Sequence, residues 1–118
     1  MRTYLINLAE IPSKDADEDF FKRVIRHNLE WWRHFPLSFI LLTPDDIDTG
    51  TIMNWVLESY GTIFFTVIEI DIKDFGGVFP RYKYEKMGDI DPFTWFNNIR
   101  SKDFIPRWEK VGERDLKE

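Results

Sequence analysis

The stretch Leu29–Asp46, LEWWRHFPLSFILLTPDD, decides the fold. Its first half, Trp31–Phe35 (WWRHF), is too short for a helix and is built of aromatic residues that favour strands. The PLS that follows makes a turn, and Phe39–Thr43 (FILLT) is a continuous apolar run of the kind found in a central strand. The two runs form a hairpin. What lies on either side of it sets the topology.

Upstream, Arg2–Ala9 alternates Tyr4, Ile6 and Leu8 against Thr3, Leu5 and Asn7, which predicts a first strand buried on at least one face. Proline and charges then break the pattern. Asp15 or Asp17 is expected to cap a helix with an acidic first turn, in which Phe20, Phe21, Val24, Ile25 and Leu29 recur at three- and four-residue spacings. Downstream, Pro44 and the aspartates lead into a second helix with Ile52, Trp55, Val56 and Tyr60 on one face and Gly61 as its C-cap. Thr62–Ile72 (TIFFTVIEIDI) is the strongest strand signal of the chain, interrupted only by Thr66, Glu69 and Asp71.

The order β-α-β-β-α-β predicts an α+β fold: a ferredoxin-like βαββαβ antiparallel sheet with two helices on one face and a C-terminal extension. Residues 1–72 are expected to form the core and 73–118 an extension of the same single domain. In the extension, Gly76–Met87 supplies an extra edge strand, and a short helix follows with Asp91 as cap, Pro92 at its first position and Phe93, Trp95, Phe96 and Ile99 as anchors. Either this extension or a second subunit covers the sheet face that the helices leave open.

A chain of 118 residues buries about two thirds of the surface its unfolded form exposes, enough for one core. Aromatic residues make up 17% of it, so large rings fill that core. The absence of cysteine excludes disulfides, thiolate nucleophiles and cysteine-ligated zinc. No leader pattern and no run of roughly 20 apolar residues is visible, so a cytoplasmic protein without membrane partners is expected. The net charge of −5 weighs against avid polyanion binding, which calls for a basic surplus.

The two histidines, His27 and His34, come without a G-x-S-x-G elbow, which argues against triad hydrolysis. The acidic runs Asp15–Asp19 and Asp45–Asp48 sit at helix starts, where capping accounts for them, and no metal site is assigned. Gly76 and Gly77 lack the spacing and lysine of a phosphate-binding loop. The best nucleic-acid signal is Phe79–Met87, where Arg81, Tyr82, Lys83 and Tyr84 interleave cations with rings that can stack on bases; an edge strand guarded by lysines gives the same pattern.

The first strand YLINLAE, a helix, the spacing Trp32-x-His34-x-x-x-Ser38, an apolar strand, TPDDI, a short helix and IFFTVIEID together resemble the small Cas2-like proteins of the SinR family. The resemblance covers about residues 2–72 and extends weakly to DPFTWF. It implies a ferredoxin-like fold, homodimerisation through sheet edges or faces, and a mobile-element or host-defence context. Cas2-type nucleases carry an aspartate at the end of the first strand, one per subunit, to hold a divalent metal. This chain has Asn7, Leu8 and Ala9 there, and Glu10 is the nearest carboxylate.

The expected function is therefore a noncatalytic homodimeric interaction or accessory protein. Its first partner is a second copy of itself, with another protein or nucleic acid left open, and no cofactor is expected. The alternative is a metal-dependent nuclease or phosphodiesterase using Glu10 with Asp71 or Asp45, with His34 as a further catalytic candidate; only this alternative requires a divalent metal. A third is a nucleic-acid or nucleotide binding module carried by Arg81–Tyr84. Within the hairpin, Trp32 and His34 share one strand face and Trp31, Arg33 and Phe35 the other. Trp32 is expected under the first helix, His34 as a hydrogen-bonded structural residue near Ser38 or Thr43, and Trp31, Arg33 and Phe35 as a binding surface facing whatever covers the open sheet.

Overall fold

The structure, a computed structural model, describes residues 1–77 and 93–110. Among them the elements run β1 (Arg2–Leu8), α1 (Lys14–Arg26), β2 (Glu30–Trp32), β3 (Ser38–Thr43), α2 (Thr49–Tyr60), β4 (Phe65–Ile70) and α3 (Thr94–Ile99). The chain divides into two compact units, Met1–Asp71 with Pro106–Glu118, and Ile72–Ile105. In the first unit the strands form one antiparallel sheet in the order β2-β3-β1-β4. This α+β architecture is compatible with a ferredoxin-like fold. No helix among the described residues is long and apolar enough to cross a membrane.

Register assigns the faces. Tyr4 pairs with Leu41 and Ile6 with Phe39, and all four are fully buried with Phe20, Val24, Ile52, Val56 and Tyr60, so α1 and α2 cover this face. Four rings close the centre, with Phe20 lying 5.4 Å from Phe21, 5.2 Å from Phe39 and 5.3 Å from Tyr60. The opposite face carries Leu5, Asn7, Trp32, Ile40, Leu42, Thr66 and Ile68. Trp32, Ile40 and Leu42 are buried there, whereas Ile68 on β4 is 48% exposed.

α1 begins two to four residues earlier than the aspartates suggest. Ser13 is its N-cap and accepts from the Ala16 N–H at 3.1 Å, leaving Asp15 and Asp17 inside the first turn. Its C-terminus closes as a Schellman motif: the Asn28 N–H donates to the Ile25 carbonyl, the Leu29 N–H to the Val24 carbonyl, and Asn28 takes φ 55°, which asparagine tolerates. Val24 and Leu29 supply the apolar contact of that motif, both fully buried, while Ile25 of the expected stripe is 53% exposed. α2 follows its sequence pattern, with Ile52, Val56 and Tyr60 buried and Gly61 at its C-cap.

β4 covers six residues instead of the eleven expected, because its partner sets its length: Leu8, the last residue of β1, pairs with Phe65. Before it, the Ile63 N–H donates to the Tyr60 carbonyl as a turn. In the second unit Phe75 stacks on Phe96 at 4.8 Å, the Arg100 guanidinium lies over Phe75, and Trp95 meets Phe96 edge-on. A Cβ on Gly77 would meet the Phe93 ring at 3.0 Å, so a larger residue there requires that ring to shift. α3 starts at Thr94 with Phe93 at its cap position and no side-chain cap; the expected Asp91 and Pro92, and all but the first two residues of the expected strand Gly76–Met87, lie outside the described residues.

Asp48 caps α2, accepting from both the N–H and the hydroxyl of Thr51 at 2.9 Å, and these bonds hold its carboxyl below its ordinary value of 3.8. A depressed carboxyl stabilises the fold above its unfolded pKa, and that contribution disappears as pH falls through the folded value. Asp48→Asn retains the acceptor without the titration. Thermal midpoints followed from about pH 5 to about pH 2 should therefore fall less steeply for Asp48→Asn than for the parent; parallel curves would contradict this role.

Candidate functional site

The aromatic-basic stretch divides as alternation requires, but with its faces reversed. Trp31 pairs with Leu41 on the helix-covered side, with its ring 6.0 Å from Phe21, so Trp31 and not Trp32 packs under α1. Trp32 pairs with Ile40 on the other face, 4.9 Å from His34 and 5.7 Å from Phe35. β2 ends at Trp32, so Phe35 is released from the strand alternation that would have placed it beside Arg33.

Arg33 ends the strand by turning its side chain onto the loop. Its Nη2 donates to the Pro36 carbonyl at 2.9 Å and its Nε to the Phe35 carbonyl at 3.4 Å, while Nη1 lies 2.6 Å from Asp17 Oδ2. The guanidinium also sits 5.4 Å from the Phe21 ring centre and 5.3 Å from that of Phe39. The other Asp17 oxygen accepts from the Tyr60 hydroxyl at 2.8 Å. Burial first, and the Asp17 carboxylate second, push the Tyr60 hydroxyl far above its ordinary value, so it remains a donor. The arrangement locks α1, α2 and the hairpin loop together. Its guanidinium is thereby engaged with the loop, Asp17 and two rings, leaving the Arg33 side chain 17% exposed, whereas Phe35, expected on the same surface, is 49% exposed.

Asp17 and Tyr60 were not expected as a pair. Asp17 precedes Phe20, Phe21 and Val24 at spacings of three, four and seven, which puts a carboxylate at the head of the apolar stripe. An acid there requires a buried partner, and that is the signal that identifies it.

The expected catalytic residues do not converge. Glu10 is exposed just beyond β1, at the end of the sheet where Leu8 pairs with Phe65; Asp71 follows Ile70 at the other end, on the order of 20 Å away by strand rise. Asp45 lies with Asp71 beyond the Arg2–Thr43 pair, 2.6 Å from the N-terminal ammonium, whose hydrogen bond and charge hold its carboxyl below the ordinary range. His34 is half-buried, and that burial lowers its pKa. The two hydroxyls expected near it donate elsewhere: Ser38 to Asn7, and Thr43 to the Arg2 and Pro44 carbonyls. Arg81, Tyr82, Lys83 and Tyr84 lie outside the described residues.

The end of β1 does carry a built polar row. Asn7 stands between Ser38 on β3 and Thr66 on β4. The Ser38 hydroxyl donates to Asn7 Oδ1 at 2.9 Å, and Asn7 Nδ2 donates to Thr66 Oγ1 at 3.3 Å. Beside it, Asn7, Leu8, Ala9, Phe64, Phe65 and Thr66 line an open hollow of about 230 Å³. Phe64 stands at its rim, 87% exposed. A space of this size suits one apolar side chain better than a drug-sized ligand, whose sites run to about 300–1,000 Å³.

The Cas2 resemblance implies a divalent cation at this strand end, and the donor set does not fit one. A hard cation takes neutral carbonyl oxygens as well, but relies on carboxylates for charge, and Asn7 offers a single neutral oxygen that already accepts from Ser38. Among the described residues no three His, Asp or Glu side chains are grouped to hold a metal. No family model, curated protein or solved structure matches the chain.

The polar row makes a stability prediction. Asn7→Asp keeps the acceptor for the Ser38 hydroxyl and can retain the second bond if the Thr66 hydroxyl turns to donate, so it should cost less than about 1 kcal/mol, whereas Asn7→Leu strands the Ser38 donor and should cost about 1–2 kcal/mol in denaturant unfolding. Equal effects would show that the row does not hold the three strands together.

Proposed function

We propose that this chain is a noncatalytic, homodimeric, Cas2-like interaction or accessory protein with the ferredoxin-like βαββαβ topology. The observation that carries the proposal is the Asn7 row. Where a nuclease of that type would present a first-strand carboxylate, this chain presents a neutral amide with both of its polar atoms engaged by neighbouring strands. A group so satisfied neither attracts a cation nor accepts a proton.

The homodimer is supported by the sheet half at β1 and β4. Phe64 and Ile68 are large apolar side chains left exposed, and Thr62–Ile68 contains no charge that would discourage another copy from associating. Glu69 is the first charge along this stretch, and it is paired with Arg2 at 2.8 Å.

Two measurements test the proposal together. Light scattering at tens of micromolar should give twice the 14.3 kDa chain mass for the parent and a monomer for Phe64→Ser/Ile68→Lys. A monomeric parent sinks the dimer. Incubation with single- and double-stranded DNA and RNA plus magnesium or manganese should leave the substrates intact. Cleavage that is lost in Glu10→Gln would overturn the noncatalytic assignment in favour of the metal-dependent alternative.

A further inference from the structure

β2 forms one edge of the sheet. Glu30 pairs with Leu42 and Trp31 with Leu41, and as neighbours in a strand their side chains leave on opposite faces. Residue 107 reaches both. Its backbone N–H donates to Glu30 Oε1 at 3.0 Å, its Nε lies 3.7 Å from the same oxygen, and its guanidinium stands 4.8 Å from the centre of the Trp31 ring.

A segment that touches consecutive residues of an edge strand on both faces crosses that edge. On either side of Arg107 it is anchored, by buried Pro106 and by Trp108, which packs against the core of the first unit. Residues 107–110 are helical, so the Glu30 carboxylate satisfies an N–H that a first helical turn leaves without a partner. The Glu30 side chain is only 15% exposed, and this contact accounts for a carboxylate in that position.

We infer that residues 106–110 form a clasp closing the β2 edge, with Glu30 as its latch, and that releasing the latch uncovers the backbone of β2 together with Trp31. The clasp restrains a strand of only three residues, which has little ladder of its own to hold it. It also shields the edge from pairing with another chain.

Hydrogen exchange on the full chain tests this. In Glu30→Ala the amides of Trp31, Trp32 and residues 107–110 should all exchange at least about tenfold faster, while those of Ile6 and Val67 keep the parent rate. Arg107→Ala, at an exposed position, should shift the same amides in the same direction and to a smaller extent. The inference is overturned if residues 107–110 exchange at the parent rate in Glu30→Ala. It is equally overturned if Ile6 and Val67 accelerate as much as Trp31, because Glu30 then supports the whole fold and not a separable clasp.

Discussion

A single guanidinium holds the hairpin loop of this protein against both helices. Arg33 directs its donors to two loop carbonyls and to Asp17, lies over the Phe21 and Phe39 rings, and through Asp17 reaches the Tyr60 hydroxyl at the end of α2. A charge in so apolar a setting is tolerated only when it is paired and hydrogen-bonded, and here it is both. The conformation of residues 33–36 follows from this: the strand stops at Trp32 so that the side chain can bend back, and the phenylalanines close around it. Other polar contacts between the helices, Arg23 with Glu58 and the Ser59 hydroxyl with Asp19, lie at the surface and add less.

Packing takes up most of the aromatic-basic stretch, with Phe35 left 49% exposed, and at the same end of the sheet a second surface lies toward β4. There the polar row of Ser38, Asn7 and Thr66 meets an apolar hollow and an exposed Phe64. Such a surface provides shape and apolar area beside a row of satisfied polar groups. The two sheet edges differ in kind. β2 is short and crossed by residues 106–110, whereas β4 carries exposed Ile68, follows exposed Phe64, and has no clasp among the described residues.

Most of the first unit was legible in the sequence. Strict alternation in β1 and helical spacing in α1 and α2 reflect burial directly, and Tyr4, Ile6, Phe20, Val24, Ile52 and Val56 are all fully buried. Which face of β2 meets the helices was not legible, because alternation says which residues share a side and not which side is the core. Trp31 and Trp32 are equally apolar, and only pairing with Leu41 or Ile40 distinguishes them. The α1 cap was misplaced for a related reason: with several aspartates and a serine in reach, composition cannot say that Asp17 is needed for Arg33 while Ser13 caps the helix. Of the site, Asn7 is singled out in the sequence only through a family resemblance, and its two hydrogen-bond partners come from strands 31 and 59 residues away, which no local pattern reveals.

Arg33 and Asp17 act as one packed unit that ties the hairpin loop to both helices. A double-mutant cycle on Arg33→Met and Asp17→Asn, read by denaturant unfolding, measures this directly. Each single change is expected to cost about 2–3 kcal/mol, and the two to be coupled by more than about 1 kcal/mol. Additive single costs below about 0.5 kcal/mol, as for a solvated ion pair, would contradict it.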